Sequence, residues 1–260
     1  MTVMQVGNVK INIRQWGHGE TVFLVHGLGA CSSLWVHQIP TLIPRYNVVA
    51  IDLRGFGRSD KPQVRDAYSI ELMADDVIGV CEVLNISSIH YLGVSMGGFI
   101  GQMVALKAPE LCRSLILGHT ACEFGIPSEI LESRMAALDS TSMDEYAKLV
   151  ATQALAQPPD PVIEEWLCEM IANNDLTAYK HVLAGALAEF DLRESIKSIQ
   201  QPTLVISGSD DRVIPPENGA ILHKQIPNSE YVLIDGVGHI GYAENPTVFN
   251  QHINTFLMQQ

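Results

Sequence analysis

Along most of this chain the apolar residues come in short unbroken runs; near the start they alternate instead. Val9, Ile11 and Ile13 alternate with polar residues, the period-two pattern of a strand with one buried face, here read as a strand at the sheet edge. Later runs are continuous: 22–25, 48–51, 89–92, 115–117, 203–206 and 231–234. Runs of this length suit strands buried on both faces, as in a mainly parallel sheet. Between them lie helical patterns over about 69–84, 97–107, 217–225 and 246–258. Strand and helix in alternation require crossover connections, which put helices on both sides of the sheet.

One interval breaks this rhythm. Residues 121–198 show no strand pattern and read as amphipathic helices over about 128–139, 142–156, 160–172 and 175–190, punctuated by Pro158, Pro159 and Pro161. An ordinary pair of crossover helices is the plainer alternative, but a crossover needs far fewer residues. The expected organisation is therefore a sheet domain formed by 1–120 and 199–260, with a helical cap inserted over 121–198.

Composition narrows the classes. The chain has 260 residues, 47% of them hydrophobic and 17% charged, enough for one α/β domain with an insertion. A net charge of −13 argues against nucleic acid or an anionic membrane surface as partner. Cys31, Cys81, Cys112, Cys122 and Cys168 are scattered and odd in number, without the C-x-x-C spacing of a zinc site, so reduced thiols in a cytoplasmic protein are expected. The first residues do not pair a charged start with a long apolar run, so no signal peptide is expected. No run is long enough to span a bilayer.

Candidate chemistry centres on Gly93-Val94-Ser95-Met96-Gly97, between the run at 89–92 and the helical pattern that follows. A serine at so sharp a strand-to-helix turn stands up from the backbone, and side chains at 93 and 97 would collide with neighbouring elements. The helix start directs free N–H groups and a positive dipole end towards any anion formed there. The motif alone is weak, and its context gives it weight. A serine nucleophile needs a base, and the base an orienting acid. Of nine histidines, His239 lies in a glycine-flanked loop just past the last apolar run, where parallel sheets place reactive groups. Asp210 and Asp211 both follow the run at 203–206, and either is also able to cap the helix near Pro216. The oxyanion of an acyl-transfer intermediate needs two N–H donors. The Met96 amide and the Leu28 amide of His26-Gly27-Leu28-Gly29 are the candidates.

Together these residues resemble the α/β-hydrolase fold enzymes with a helical cap, over nearly the full chain. The resemblance rests on His26 to Gly29, Asp52 to Ser59, Gly93 to Gly98, Gly208 to Pro215, and Gly238-His239 with Glu244-Asn245-Pro246. It implies a mainly parallel eight-stranded sheet covered by helices on both faces. It also implies Ser95, Asp211 and His239 as catalytic residues, Asp211 being favoured over Asp210 because the family's acid comes three residues after the glycine of that turn. Asp52 to Ser59 is implied to be a structural turn. Epoxide hydrolases and haloalkane dehalogenases carry aspartate in place of Ser95, and the carbon–carbon bond hydrolases usually carry asparagine where this chain has Val94. The nearest likeness is to the 3-oxoadipate enol-lactonases, through Gly93 to Gln102 and Leu115 to Cys122. Their acidic substrate implies a cationic clamp. Glu123 stands where a basic residue is expected, leaving Arg134 as the candidate.

The expected activity is hydrolysis of carboxylic esters of small acyl substrates through an acyl-enzyme on Ser95. Lactone hydrolysis and cofactor-free perhydrolysis are the alternatives, with a ligand-binding receptor on the same fold behind them. The substrate pocket is expected between cap and sheet, walled by Leu28, Met96, His119, Trp35, Trp166, Leu155 or Leu187. No metal or organic cofactor is implied: there is no H-E-x-x-H and no dinucleotide fingerprint.

Overall fold

The computed structural model describes residues 1–124 and 127–260. Eight strands form one sheet in the order β1-β2-β4-β3-β5-β6-β7-β8. They are β1 (Thr2–Val6), β2 (Val9–Trp16), β3 (Thr21–Val25), β4 (Asn47–Asp52), β5 (Ile89–Val94), β6 (Cys112–Gly118), β7 (Thr203–Gly208) and β8 (Ser229–Ile234). β2 runs antiparallel to β1 and β4, and every other pairing is parallel. All residues of β3, β5 and β7 are buried, which is why their sequences read as unbroken apolar runs.

Alternate residues of each central strand feed two separate cores. Phe23, Val49, Tyr91, Leu115 and Val205 pack on the side of the helices Ile70–Val83, Met96–Lys107 and Pro216–Gln225. Leu24, Val48, Leu92, Ile116 and Leu204 pack on the opposite side, with the helix Pro246–Leu257 and the segment around Trp35. The sheet is thus covered on both faces. Because β3, β5, β6, β7 and β8 are parallel, their carboxyl ends share one edge. His26, Ser95, His119, Asp211 and His239 follow those ends.

β1 escapes the sequence pattern. It is a short edge strand with Val3 half exposed, joined to β2 through a two-residue turn in which Gly7 takes φ 53°. On the helical side a buried ion pair anchors the turn after β4: Asp76 accepts from Arg54 Nε and Nη2, each at 2.6 Å.

Between β6 and β7 the described residues form the helices Ser128–Ser140, Met143–Ala154, Pro161–Ala172 and Leu176–His181, the last running into a π turn over Val182–Leu187. Their starts follow from capping chemistry. Ser142 and Glu145 form a reciprocal capping box, Asp160 caps a helix with Pro161 at its first position, and Asp175 accepts from Ala178 N. The helix expected over 175–190 is found from Leu176 to Leu187, its second half wound as the π turn in which Gly185 passes Tyr68. A Cβ at Gly185 would lie 2.7 Å from the Tyr68 carbonyl oxygen. The two ends of the segment meet in a bridge between Glu123 and Asp191, with Leu192 N donating to Cys122 O at 2.8 Å. No helix among the described residues is long and apolar enough to cross a membrane.

Candidate active site

Ser95 occupies the turn between β5 and the helix Met96–Lys107 with φ 54° and ψ −122°, a region that costs a non-glycine residue about 1–3 kcal/mol. The surroundings enforce it. Ser95 N donates to Gly118 O at 2.9 Å, and Ser95 O accepts from Gly98 N and from Thr120 Oγ1, both at 2.8 Å. The neighbouring glycines are sterically required: a Cβ at Gly93 would lie 2.2 Å from Gly97 O, and one at Gly97 2.2 Å from Val25 O.

Asp211 is 3% exposed, and all its acceptor capacity is directed. Oδ1 accepts from Val213 N at 2.9 Å and Ile214 N at 2.8 Å. Oδ2 accepts from His239 Nδ1 at 2.8 Å. Burial alone would raise the Asp211 pKa, but the positive field of His239 and the imidazole hydrogen bonds outweigh it and hold the carboxyl well below its usual range. Asp210, the rival in sequence, is exposed, and its carboxylate accepts from Ser209 Oγ at 3.0 Å.

The His239 loop is tied to the helices inserted after β6. His239 N donates to Ala154 O at 2.7 Å. The Glu244 carboxylate accepts from Gly238 N at 2.9 Å and from Ala156 N at 2.7 Å, while Arg212 Nη2 donates to Leu155 O at 3.0 Å. Burial raises the Glu244 pKa against the pull of those amide donors.

On the other flank of Ser95 lies the loop after β3. A Cβ at Gly27 would sit 3.0 Å from the Ser95 Cβ and 3.3 Å from the Val94 carbonyl oxygen, so a side chain here would crowd the serine. His26 shapes the loop, donating from Nδ1 to Gly27 O at 2.7 Å and accepting Leu53 N on Nε2 at 3.0 Å. Among the described residues neither the Leu28 nor the Met96 N–H has a protein acceptor, the state an oxyanion donor requires. The turn after β4 is structural: Asp52 accepts from Ser32 N at 2.7 Å, Arg58 N at 2.8 Å and Asn12 Nδ2 at 2.9 Å.

Ser95, Leu28 and His239 line one cavity of about 370 Å³. Phe99, Leu167, Ile171 and Leu187 give it apolar walls, and Tyr146, Tyr179 and Tyr242 bring aromatic ones. Arg134 is the lysine-or-arginine side chain among its lining residues. Several expected wall residues lie elsewhere. Trp35 is fully buried behind Tyr242, ring centroids 6.0 Å apart, so Tyr242 takes the wall position. Trp166 faces a separate surface cleft beside Cys31 and Asn173. Leu155 is buried in the core while its neighbour Ala154 reaches the cavity, and the Met96 side chain is buried beneath it. His119 does not reach the cavity either; it lies behind Asp211, Nδ1 to Oδ2 3.3 Å. Glu123 pairs with Arg193 at 3.3 Å, outside the cavity. The sequence does not announce the aromatic walls Tyr146 and Tyr179, because helical periodicity marks an inward face without saying which cavity it meets.

His119, Asp211 and His239 also form a cluster whose possible ligand atoms lie within 4.8 Å. Each imidazole turns Nδ1 to the same carboxylate oxygen. That is two donors on one anion rather than lone pairs converging on a cation.

A family model described as alpha/beta hydrolase fold matches residues 20–159 and 172–246. The chain belongs to the alpha/beta hydrolase fold family. This hydrolase is 29% identical to 3-oxoadipate enol-lactonase 2 of Acinetobacter baylyi, covering 96% of this chain and 94% of the relative. It is 28% identical to a pimeloyl-[acyl-carrier protein] methyl ester esterase of Aeromonas hydrophila, covering 96% and 100%. Among solved structures it resembles the enol-lactonase from Burkholderia xenovorans LB400, with TM-score 0.93 and 26% identity over 99% of this chain and 100% of that one. Ser95, Asp211 and His239 fall inside the matched residues of the hydrolase; residues 160–171, which carry Trp166, fall outside them.

Proposed function

We propose that this hydrolase cleaves carboxylic esters of small acyl substrates through an acyl-enzyme on Ser95. The observation that carries the reading is that Ser95 and His239 face one cavity while Asp211 holds His239 from behind by a 2.8 Å bond. With Nδ1 committed to Asp211, Nε2 of His239 is the nitrogen left for the serine. It takes the Oγ proton as Oγ attacks the acyl carbon, and the electron pair of the carbonyl moves to its oxygen. The amides of Leu28 and Met96 stabilise that oxyanion; one such donor contributes about 3–4 kcal/mol to transition-state stabilisation. The intermediate collapses, the alcohol leaves with the proton from His239, and water then repeats the cycle to free the acid. In this reading 121–198 is the cap that roofs the cavity over the sheet domain of 1–120 and 199–260. The five free thiols support a reducing, cytoplasmic setting.

Lactone hydrolysis, the same chemistry on a ring, is favoured as a second reading by Arg134. Its guanidinium lies near Tyr146 and Tyr179, whose pKa values it pulls down against the larger effect of burial. It suits a substrate carrying a carboxylate beside the scissile acyl group. Steady-state rates on a short p-nitrophenyl ester, together with fluorophosphonate labelling, test the main reading. Ser95→Ala must lose both turnover and label; retention of either overturns it.

A further inference from the structure

His119 takes no part in the steps just described, yet the fold holds it at some cost. It is fully buried at the carboxyl end of β6 with φ 50°, a positive value uncommon among residues other than glycine. Its ring stacks on Phe249 at 6.1 Å and meets His239 and Tyr242 edge-on at 5.9 and 6.2 Å. Nδ1 points to Asp211 Oδ2, the same oxygen that receives His239. Nε2 is buried without a partner among the described residues and abuts Gly241, where a Cβ would come 2.7 Å from it.

We propose that His119 is a positioning residue for Asp211, a second imidazole donor on Oδ2 that fixes the carboxylate and moderates how strongly it holds the His239 proton. The proposal rests on the Ser95 acyl-enzyme reading. The geometry leaves His119 one protonation state. A proton on Nε2 would be stranded against the Gly241 backbone, so Nε2 carries the lone pair and Nδ1 carries the hydrogen. Burial pushes the His119 pKa down, in the same sense. The ring is then a neutral, permanent donor. The charged and titratable groups around this cluster are Asp211, His239, Tyr242 and Glu244. Burial keeps the Tyr242 phenol neutral, and Glu244 is engaged with backbone amides. Sharing Oδ2 between two donors weakens its pull on either one. Without His119 the carboxylate acts on His239 alone, and the base should release its proton at a higher pH.

The test is the pH profile of kcat/KM for a neutral p-nitrophenyl ester. His119→Leu removes the donor, and His119→Gly does so with a backbone at ease at φ 50°, in case the leucine variant does not fold. In either variant the ascending limb is expected to move up by about half to one pH unit, with a several-fold activity loss confined to its acid side. His119→Asn places Nδ2 where His119 has Nδ1 and tolerates left-handed backbone, so it should restore the wild-type profile. A purely structural role would lower rates evenly at every pH. Superimposable profiles, or a shift that asparagine fails to reverse, overturn the proposal. If Ser95→Ala is inactive but these profiles coincide, the positioning role alone falls. If Ser95→Ala remains active, the acyl-enzyme reading falls with it.

Discussion

Replacing Asp211 with asparagine changes one atom's chemistry and almost none of its volume. The amide oxygen can still accept Val213 and Ile214 N–H at the Oδ1 position, now at 2.9 and 2.8 Å. The Oδ2 position becomes an NH₂ facing His239 Nδ1 at 2.8 Å, a donor meeting a donor. His239 relieves the conflict by moving its hydrogen to Nε2, the nitrogen that in the proposed mechanism takes the Ser95 proton. A base in the wrong tautomer loses about 10⁴ in kcat, or roughly 5.5 kcal/mol of transition-state stabilisation. Stability should change far less. Charge-assisted bonds to Oδ2 are lost and the His119 Nδ1–H is left facing the new NH₂, but the burial of a carboxylate is relieved as well, leaving a net cost of about 1–3 kcal/mol and a Tm shift of a few degrees. Asp210→Asn is the control. Its side chain is exposed and bonded to Ser209 Oγ, so activity should stay near wild type. The assay is kcat on a short p-nitrophenyl ester alongside thermal unfolding. If Asp211→Asn keeps more than about a tenth of wild-type kcat, or Asp210→Asn shows the large loss, the assignment of the orienting acid is wrong.

Gly97→Ala would bring a methyl to 2.2 Å from the Val25 carbonyl oxygen, backbone that cannot swing aside, so thermal melts should show a loss of at least 2–3 kcal/mol, by order of magnitude, or no folded protein. Arg54→Ala strands the Asp76 carboxylate, itself 2% exposed, and should cost about 3–5 kcal/mol in urea unfolding; pairing it with Asp76→Leu should recover much of that. Arg134→Ala should raise KM for a carboxylate-bearing ester or lactone while leaving KM for a neutral ester unchanged, measured on matched substrates. Because the folded-state pKa of Asp211 lies below its ordinary 3.8, the stability it contributes is complete above that pH and is lost as pH falls through the folded value. Acid-induced unfolding curves below pH 3.8 should therefore be shallower for Asp211→Asn than for wild type.

The central strands were legible because burial on both faces leaves one solution, a continuous apolar run, and β3, β5 and β7 are buried throughout. β1 was not, since a five-residue edge strand with exposed Thr2 and Val3 carries no contrast between faces. The loops that bear Ser95, Leu28 and His239 were legible through glycines whose absent Cβ atoms the neighbouring backbone requires, as at Gly93, Gly97 and Gly238. Cavity walls follow another logic. An aromatic residue such as Trp35 is equally content in the core, where it lies fully buried, and nothing in local sequence tells that place from the rim taken by Tyr242. His119 shows the same limit from the polar side. Its reach to Asp211 spans two strand ends 92 positions apart in the chain, and no spacing rule encodes that.

The inserted helices and the sheet are coupled through backbone at the point where chemistry is expected. Ala154, Leu155 and Ala156 hold His239 N, Arg212 and the Glu244 carboxylate respectively, and Glu244 reaches on to Gly238 N. A Cβ at Gly238 would strike Ala154 O at 2.6 Å, so the two segments are in backbone contact there. The position of the His239 imidazole is therefore set jointly by the sheet, through Asp211, and by the inserted helices, through Ala154. A displacement of the helix Met143–Ala154 moves a cavity wall and the His239 imidazole together, so under the proposed mechanism substitutions on its buried face should alter kcat as well as substrate range.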